Sequence, residues 1–217
     1  MSRPKLHPAS ACTCLTALDL DGNRLTRLTL PLELTNLGSV LLRGNQLREF
    51  ILPAGLSRLS FLALDGNQLT QFTFPAGLTN LSSVGLTGNQ LTNLTLPSDL
   101  TQLNSSFVDG NPFTSLVLSE SLAATNLAGT VTFLLNQGIS VFTYPLAVRL
   151  ISPRRTGAAA FEFALIGPPG IYTVLGSADL AAWSELGTAT NQLGSAAFTH
   201  LAALLSPQKF YRARSAP

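Results

Sequence analysis

A glycine–asparagine pair recurs at a constant interval of 22 residues through the first half of this 217-residue chain. A fixed period of about 20 to 50 residues is typical of solenoids, in which each coil packs mainly on its neighbours. The spacing therefore predicts five stacked coils. The five pairs are Gly22-Asn23, Gly44-Asn45, Gly66-Asn67, Gly88-Asn89 and Gly110-Asn111.

Each coil carries two segments of alternating apolar residues. Leu62 and Leu64 of the third coil are two residues apart, so this segment predicts a strand with one face turned inward. Phe72 and Phe74 repeat the alternation and predict a second extended segment. Pro75 then ends that segment, because proline cannot donate a hydrogen bond to a ladder.

The recurring asparagine lies where the chain turns out of the first strand. A buried amide that lacks hydrogen-bond partners costs about 1–3 kcal/mol. We therefore expect a column of side-chain amides that bond the backbone of neighbouring turns. This structural asparagine ladder consists of Asn23, Asn45, Asn67, Asn89 and Asn111.

The repeated unit resembles the leucine-rich repeat family. The pattern L-x-x-L-x-L-x-x-N is carried in the first coil by Leu15, Leu18, Leu20 and Asn23, and four later copies follow in register. The short unit is similar to bacterial extracellular versions. Over residues 15–145 the resemblance implies a curved solenoid with a parallel sheet on its concave side, but it fixes no single function, because family members bind very different partners.

Residues 125–145 are interpreted as a degenerate sixth coil. After a three-residue insertion, Ala128, Val131, Phe133 and Asn136 match the repeat spacing again, and Tyr144-Pro145 follows one residue late. Residues 1–14 form an N-terminal arm that is shorter than the cap a solenoid usually needs at an open end.

Residues 146–217 lose the period and alternate over short segments separated by turn signals. Short strands separated by turns predict a small antiparallel β-sandwich. We expect Gly167-Pro168-Pro169-Gly170 to form a hairpin turn and Ser152-Pro153 a second turn. Trp183 is predicted as a core residue. The stretches 161–188 and 208–215 are similar to C-terminal all-β modules of secreted bacterial surface proteins, and the resemblance implies a role in surface display or attachment. The fold class as a whole is mainly β.

The amino-acid composition limits the cellular locations and the classes of partner that fit this chain. Hydrophobic residues make up 46% of the chain and charged residues only 11%, which favours a β-rich extracellular or cell-surface protein. The net charge of +2 predicts no nucleic-acid partner. The chain has no apolar run long enough to span a membrane, and residues 1–14 lack the apolar core of a signal peptide. We interpret the chain as a mature or truncated secreted form in preference to a cytoplasmic one.

The two cysteines, Cys12 and Cys14, leave three alternatives open. They are small apolar residues that cover the first coil, or a strained local disulfide, or a link to another subunit. With Leu15 they mark a possible assembly end of the solenoid.

No catalytic constellation is visible in the sequence. It contains no glycine-rich phosphate loop, no G-x-S-x-G and no H-E-x-x-H, and His7 and His200 lie at opposite ends of the chain. We therefore expect no enzyme activity, no cofactor and no metal site.

Two functions remain. The first is a protein-interaction scaffold that binds a protein partner on its concave sheet; large apolar groups that face solvent there are candidate anchors. The second is a structural subunit that binds copies of itself head to tail in a filament or surface layer. The predicted partner-binding residues of the concave face are Leu41, Arg43, Phe61, Asp65, Phe107 and Asp109.

Overall fold

The computed structural model describes residues 14–156, 160–201 and 208–216, except for the side chains of Ser106 and Phe107. Contacts divide the chain into two compact units. The first combines Met1–Leu116 with Thr125–Ser140, and the second combines Val117–Ala124 with Val141–Pro217. The boundary predicted between residues 145 and 146 falls inside the second unit.

The first unit contains a parallel sheet with one strand from each coil. Its strands lie in chain order and are shifted by one repeat, so that Leu18 pairs with Val40, Val40 with Leu62, and Leu62 with Val84. The 22-residue period of the sequence thus sets the register of the sheet, because paired residues are one repeat apart. The strands are β1 (Ala17–Asp19), β2 (Ser39–Leu41), β3 (Phe61–Ala63), β4 (Ser83–Gly85) and β6 (Ser105–Phe107). The short strand β5 (Asn93–Thr95) lies in the returning half of the fourth coil.

The core of the solenoid is a stack of equivalent apolar side chains. Leu37, Leu59 and Leu81 are wholly buried. Phe72 and Phe74 are buried on either side of the exposed Thr73 and meet edge to face with ring centroids 4.9 Å apart, as the alternation predicts. Each leucine or phenylalanine buried in this way stabilises the fold by about 1.5–3 kcal/mol.

Residues 125–145, interpreted as a degenerate sixth coil, follow the repeat only in their second half. Residues Ala128–Asn136 form helix α2, not a strand and turn, and Phe133 is exposed there. From Ser140 onward the repeat resumes, because the Ser140 amide donates to the Thr114 carbonyl at 3.0 Å just as the Thr114 amide donates to Thr92 at 2.7 Å. The spacing was misleading over α2 because Ala128, Val131 and Leu135 fit a helical period as well as a repeat.

The second unit is an antiparallel β-sandwich, as predicted. One sheet has the order β13-β10-β9 and the other β12-β11-β14. Phe163 and Leu165 of the first sheet share one core with Tyr172, Val174 and Ala189 of the second. The strands are β9 (Arg149–Thr156), β10 (Ala160–Ile166), β11 (Gly170–Ser177), β12 (Ser184–Asn191), β13 (Ser195–His200) and β14 (Phe210–Ser215). Between the solenoid coils and these strands lie β7 (Ser115–Ser119), α1 (Glu120–Ala124) and β8 (Ser140–Tyr144).

Three local predictions in this unit are wrong. Gly167–Gly170 does not close a hairpin, because β10 and β11 belong to different sheets and the segment crosses between them. Ser152-Pro153 is an irregularity inside the edge strand β9, where Ser152 adopts a φ of 51° and proline is tolerated. Trp183 is half-exposed outside the core cluster, with the Arg212 guanidinium 4.1 Å from its ring centroid.

Candidate interaction surface on the concave sheet

The side-chain amides of the asparagine column join each coil to the one before it. Asn67 accepts a hydrogen bond from the Leu47 amide at 3.1 Å and donates to the carbonyls of Leu42 and Leu64, both at 2.9 Å. Asn45, Asn89 and Asn111 repeat this arrangement. These bonds hold the ends of the concave strands in fixed register.

The glycine before each asparagine allows the turn that places the amide. Gly44 and Gly66 adopt φ values of 62° and 65°, in the left-handed region that a side chain disfavours. Their amides donate to the carbonyls of Asp65 and Thr87 in the next coil at 2.9 and 2.7 Å. The concave surface is therefore built on a backbone that is bonded in both directions along the stack.

The Arg43 side chain contacts two carboxylates and an aromatic ring. Its Nη1 lies 3.2 Å from Asp21 Oδ2, and its Nε lies 3.4 Å from Asp65 Oδ2. Its guanidinium carbon lies 5.3 Å from the centroid of the Phe61 ring, within the range of a cation–π contact. The three charged residues occupy one repeat position in consecutive coils, so the bridge runs across the strands.

The same carboxylates also bond the backbone of the next coil. Asp21 Oδ1 accepts from the Arg43 amide at 2.6 Å, and Asp65 Oδ1 accepts from the Thr87 amide at 3.1 Å. Gly85 lies beneath Asp65, where an added Cβ would be only 2.7 Å from the carboxylate carbon. A side chain at position 85 is thus incompatible with the observed position of Asp65.

The predicted anchors are less exposed than the alternation suggests. Leu41 and Phe61 lie on the outward side of their strands, but both are half-buried, and Arg43 contacts the ring of Phe61. A long side chain such as that of Arg43 thus covers part of the Phe61 ring. Asp109 is exposed. The Phe107 side chain lies outside the described residues.

The candidate assembly end is only partly visible. Cys12 lies outside the described residues, whereas Cys14 is exposed and Leu15 is half-buried. At the other end of the coils, Asn126 donates to the Leu103 carbonyl at 3.1 Å. With the bond from Ser140 to Thr114, two backbone acceptors of the fifth coil are already used by the chain itself.

The sequence predicts two members of the ion-pair cluster as site residues but not the contact between them. Arg43 and Asp65 are predicted above as separate partner-binding positions, and Asp21 is not among the predicted site residues. The signal was present, since Asp21, Arg43 and Asp65 share one position of the repeat. Opposite charges at equivalent positions of adjacent coils lie one strand spacing apart, about 4.8 Å, and can pair.

A comparison with protein families decides the identity of the solenoid. The model described as "BspA type Leucine rich repeat region (6 copies)" matches residues 20–128, half of the chain. The chain belongs to the BspA-type leucine-rich repeat family. No match was found among curated proteins.

Membership in the BspA-type family assigns a broad class of function. Leucine-rich repeats generally mediate protein interactions and are generally non-enzymatic, and the BspA type is typical of bacterial surface proteins. Within the described ranges, no helix is both long and apolar enough to cross a membrane.

Proposed function

We propose that this BspA-type repeat protein is a non-enzymatic scaffold, extracellular or at the cell surface, that binds a protein partner on its concave sheet. One observation carries the proposal. Leu41, Arg43 and Phe61 are at least partly exposed residues on or just after the adjacent strands β2 and β3, whose ends are held by the asparagine column, and the Arg43 guanidinium contacts the Phe61 ring. A rigid patch loses little conformational entropy on binding, and aromatic and arginine side chains are common binding hot spots.

Peptide selection tests the proposal without a known partner. A random-peptide phage library is panned on the immobilised protein, and enriched peptides are then measured against variants. Phe61→Ser and Leu41→Asp change the concave patch, and Thr73→Asp is the matched control because Thr73 is an exposed residue of the returning segment. We expect enriched peptides to lose binding to the two concave variants and to keep it with the control. Peptides that bind all three variants equally would contradict the proposal.

The C-terminal sandwich is proposed as an attachment module. Its similarity to all-β modules of secreted bacterial surface proteins supports this role. The sandwich also exposes basic residues on its edge strands, Arg155 on β9 and Arg212 on β14. Arg155→Glu together with Arg212→Glu, in the full chain, is expected to leave peptide binding intact and to release the protein from the cell envelope of an expressing host.

The head-to-tail alternative ranks second. It requires that the first coil of one copy, at Cys12, Cys14 and Leu15, contact the C-terminal half of the next copy. There, Asn126 and Ser140 already bond the fifth coil at two of its carbonyls. A solenoid end that is bonded in this way offers fewer groups to a second copy. The alternative is tested by the mass of the protein in solution, as described below.

A further inference from the structure

The segments of coils one and two that return from the concave sheet form a groove of about 920 Å³. Apart from Gln68, its lining residues lie between Thr26 and Leu32 and between Gln46 and Pro53. A parallel bridge between Thr29 and Ile51 joins the two segments. A cavity of roughly 300–1,000 Å³ can hold a ligand of drug size, so this groove has room for several side chains of a bound protein segment.

The groove contains two large apolar side chains that are exposed to solvent. Ile51 is 72% exposed and Leu32 is 69% exposed, and both line the groove. Among the described side chains of residues 15–124, all other leucines, valines and phenylalanines are buried or half-buried. Scattered exposed apolar residues need no explanation, but apolar residues gathered in one cavity indicate a binding surface.

Three side chains of the groove differ from the residue that other coils carry at the same position. Among the first four coils, Ile51 stands where the others have a threonine, Leu32 where they have an alanine or serine, and Arg48 where they have a threonine. The equivalent residues are Thr29, Thr73 and Thr95 for Ile51, Ala54, Ala76 and Ser98 for Leu32, and Thr26, Thr70 and Thr92 for Arg48. The coils stack equally with the smaller residues, so the fold does not require the larger ones in the groove. In a repeat whose local choices otherwise agree, such departures are expected at functional sites.

Two arginines border the exposed apolar side chains. Arg27 and Arg48 line the groove and are exposed. Among the described residues neither forms an ion pair, and Arg48 Nε donates to Gln68 Oε1 at 3.4 Å. With Glu49 as the carboxylate among the lining residues, the two arginines leave the groove positively charged. Such a surface is complementary to a partner that is apolar and acidic.

We propose that this groove binds a segment of a protein partner in which apolar side chains are combined with aspartate or glutamate. The apolar side chains cover Ile51 and Leu32, and removal of that surface from water drives binding. The carboxylates pair with Arg27 and Arg48, whose planar guanidinium groups can hold a carboxylate with two parallel hydrogen bonds. The groove goes beyond the proposed function, because it lies on the returning halves of the coils and shares no residue with the concave site.

Restoring the repeat tests the proposal. The restored variant, Leu32→Ala with Arg48→Thr and Ile51→Thr, carries residues that equivalent positions of other coils already hold, so it is expected to fold, and urea unfolding checks this. A random-peptide phage library is depleted on the immobilised restored variant and then panned on the native protein. We expect the enriched peptides to contain aspartate or glutamate beside apolar residues. Enriched peptides without acidic residues, or a selection in which no peptide distinguishes the two proteins, would overturn the proposal.

Single variants separate the apolar contribution from the charged one. Ile51→Thr is expected to weaken binding of the enriched peptides about tenfold, the scale of one buried apolar side chain. Arg48→Thr is expected to weaken binding about three- to fivefold, the scale of an exposed ion pair. Arg58→Thr is the matched control and is expected to leave binding unchanged, because Arg58 is an exposed arginine of the same coil that does not line the groove. An equal loss in Arg48→Thr and Arg58→Thr would reduce the effect to overall charge and overturn the proposal.

The oligomeric state distinguishes a segment of another protein from a second copy of this chain. We expect light scattering to give the same mass for the native protein and the restored variant. Self-association of the native protein that is lost in the restored variant would assign the groove to a second copy and overturn the proposal.

The groove and the concave site fail independently. Peptides of the groove are expected to keep their affinity for Phe61→Ser and to lose it for Ile51→Thr, whereas peptides of the concave site show the reverse. The absence of the first class would overturn the groove, and the absence of the second class would overturn the concave site.

Discussion

At the scale of single residues, one polar side chain per coil fixes the backbone of an otherwise apolar stack. Asn45, Asn67 and Asn89 are buried, whereas Asn23 in the first coil is exposed and, among the described residues, bonds the Leu20 and Asp21 carbonyls of its own turn. The asparagines therefore contribute unequally to the free energy of unfolding, because a buried polar group that loses its hydrogen-bond partner costs far more than an exposed one.

Replacement of single asparagines tests this difference. Asn67→Ala leaves the Leu47 amide and the Leu42 carbonyl without their side-chain partner, so we expect a loss of about 3 kcal/mol in the free energy of unfolding. Asn23→Ala is the matched control and is expected to cost less than about 1 kcal/mol, because water replaces its bonds. Urea unfolding followed by far-ultraviolet circular dichroism measures both. Similar losses in the two variants would contradict the role assigned to burial.

The contact between Gly85 and Asp65 gives a second residue-scale prediction. Gly85→Ala forces the Asp65 carboxylate away from the Thr87 amide and Arg43, and we expect destabilisation of about 1 kcal/mol. In an Asp65→Ala background the same change meets no carboxylate and is expected to be nearly neutral. A double-mutant cycle in urea measures the coupling, and additive losses would show that the two side chains do not compete for this space.

At the scale of elements, the sandwich depends on segments that pass between its sheets. Asn191 is buried and donates to the carbonyls of Gly167 and Pro168 at 2.8 and 3.1 Å, and the Tyr172 hydroxyl donates to Pro168 at 2.6 Å. These bonds satisfy the carbonyls of a segment whose two prolines cannot donate to a strand ladder. The crossing is thus held by side chains, not by hairpin pairing.

The pairing of His200 with Tyr211 connects β13 to β14 and predicts a pH dependence. The Nδ1 atom of His200 lies 3.1 Å from the Tyr211 hydroxyl. Burial, followed by the nearby Lys209 ammonium, lowers the pKa of His200 below its ordinary value of 6.5. The unfolded chain therefore takes up this proton at a higher pH than the folded chain. Stability from His200 is complete above the unfolded pKa and decreases as the pH falls below it.

Unfolding at two pH values measures the effect. We expect the urea midpoint, monitored by Trp183 fluorescence, to fall between pH 7.5 and pH 5.5 in the native sequence and to fall less in His200→Asn. Lys209→Ala removes one cause of the lowered pKa and is expected to reduce the decrease as well. An unchanged decrease in His200→Asn would assign the pH dependence to other groups.

At the scale of the whole molecule, the open question is whether the protein acts alone or as part of an assembly. The fifth coil is bonded by Asn126 and Ser140, and the proposed concave surface needs no second copy. We therefore expect light scattering to give the mass of a single chain, 22.9 kDa, across a wide range of concentrations. Regular polymers in negative-stain images of the same sample would favour the head-to-tail alternative over the scaffold.

The repeated architecture and most of the strands follow from the amino-acid sequence alone. A period of 22 residues, with leucines such as Leu59 and Leu62 at fixed positions, can bury its apolar face only by stacking coil on coil. Alternation also identified the strands of the sandwich, because a period of two puts one face inward whatever the neighbouring strand is. These features are local, so they can be recognised without knowledge of what each segment contacts.

Which strands pair and which side chains come into contact depends instead on long-range packing. The turn at Gly167–Gly170 was predicted correctly as a turn but wrongly as a hairpin, because the edge that a strand joins depends on residues far away in the chain. Helix α2 replaced the concave strand of the sixth coil because residues 128–136 fit two periods, and packing selects between them. The bridge from Arg43 to Asp21 and Asp65 likewise exists only because stacking brings residues 22 positions apart into adjacent strands.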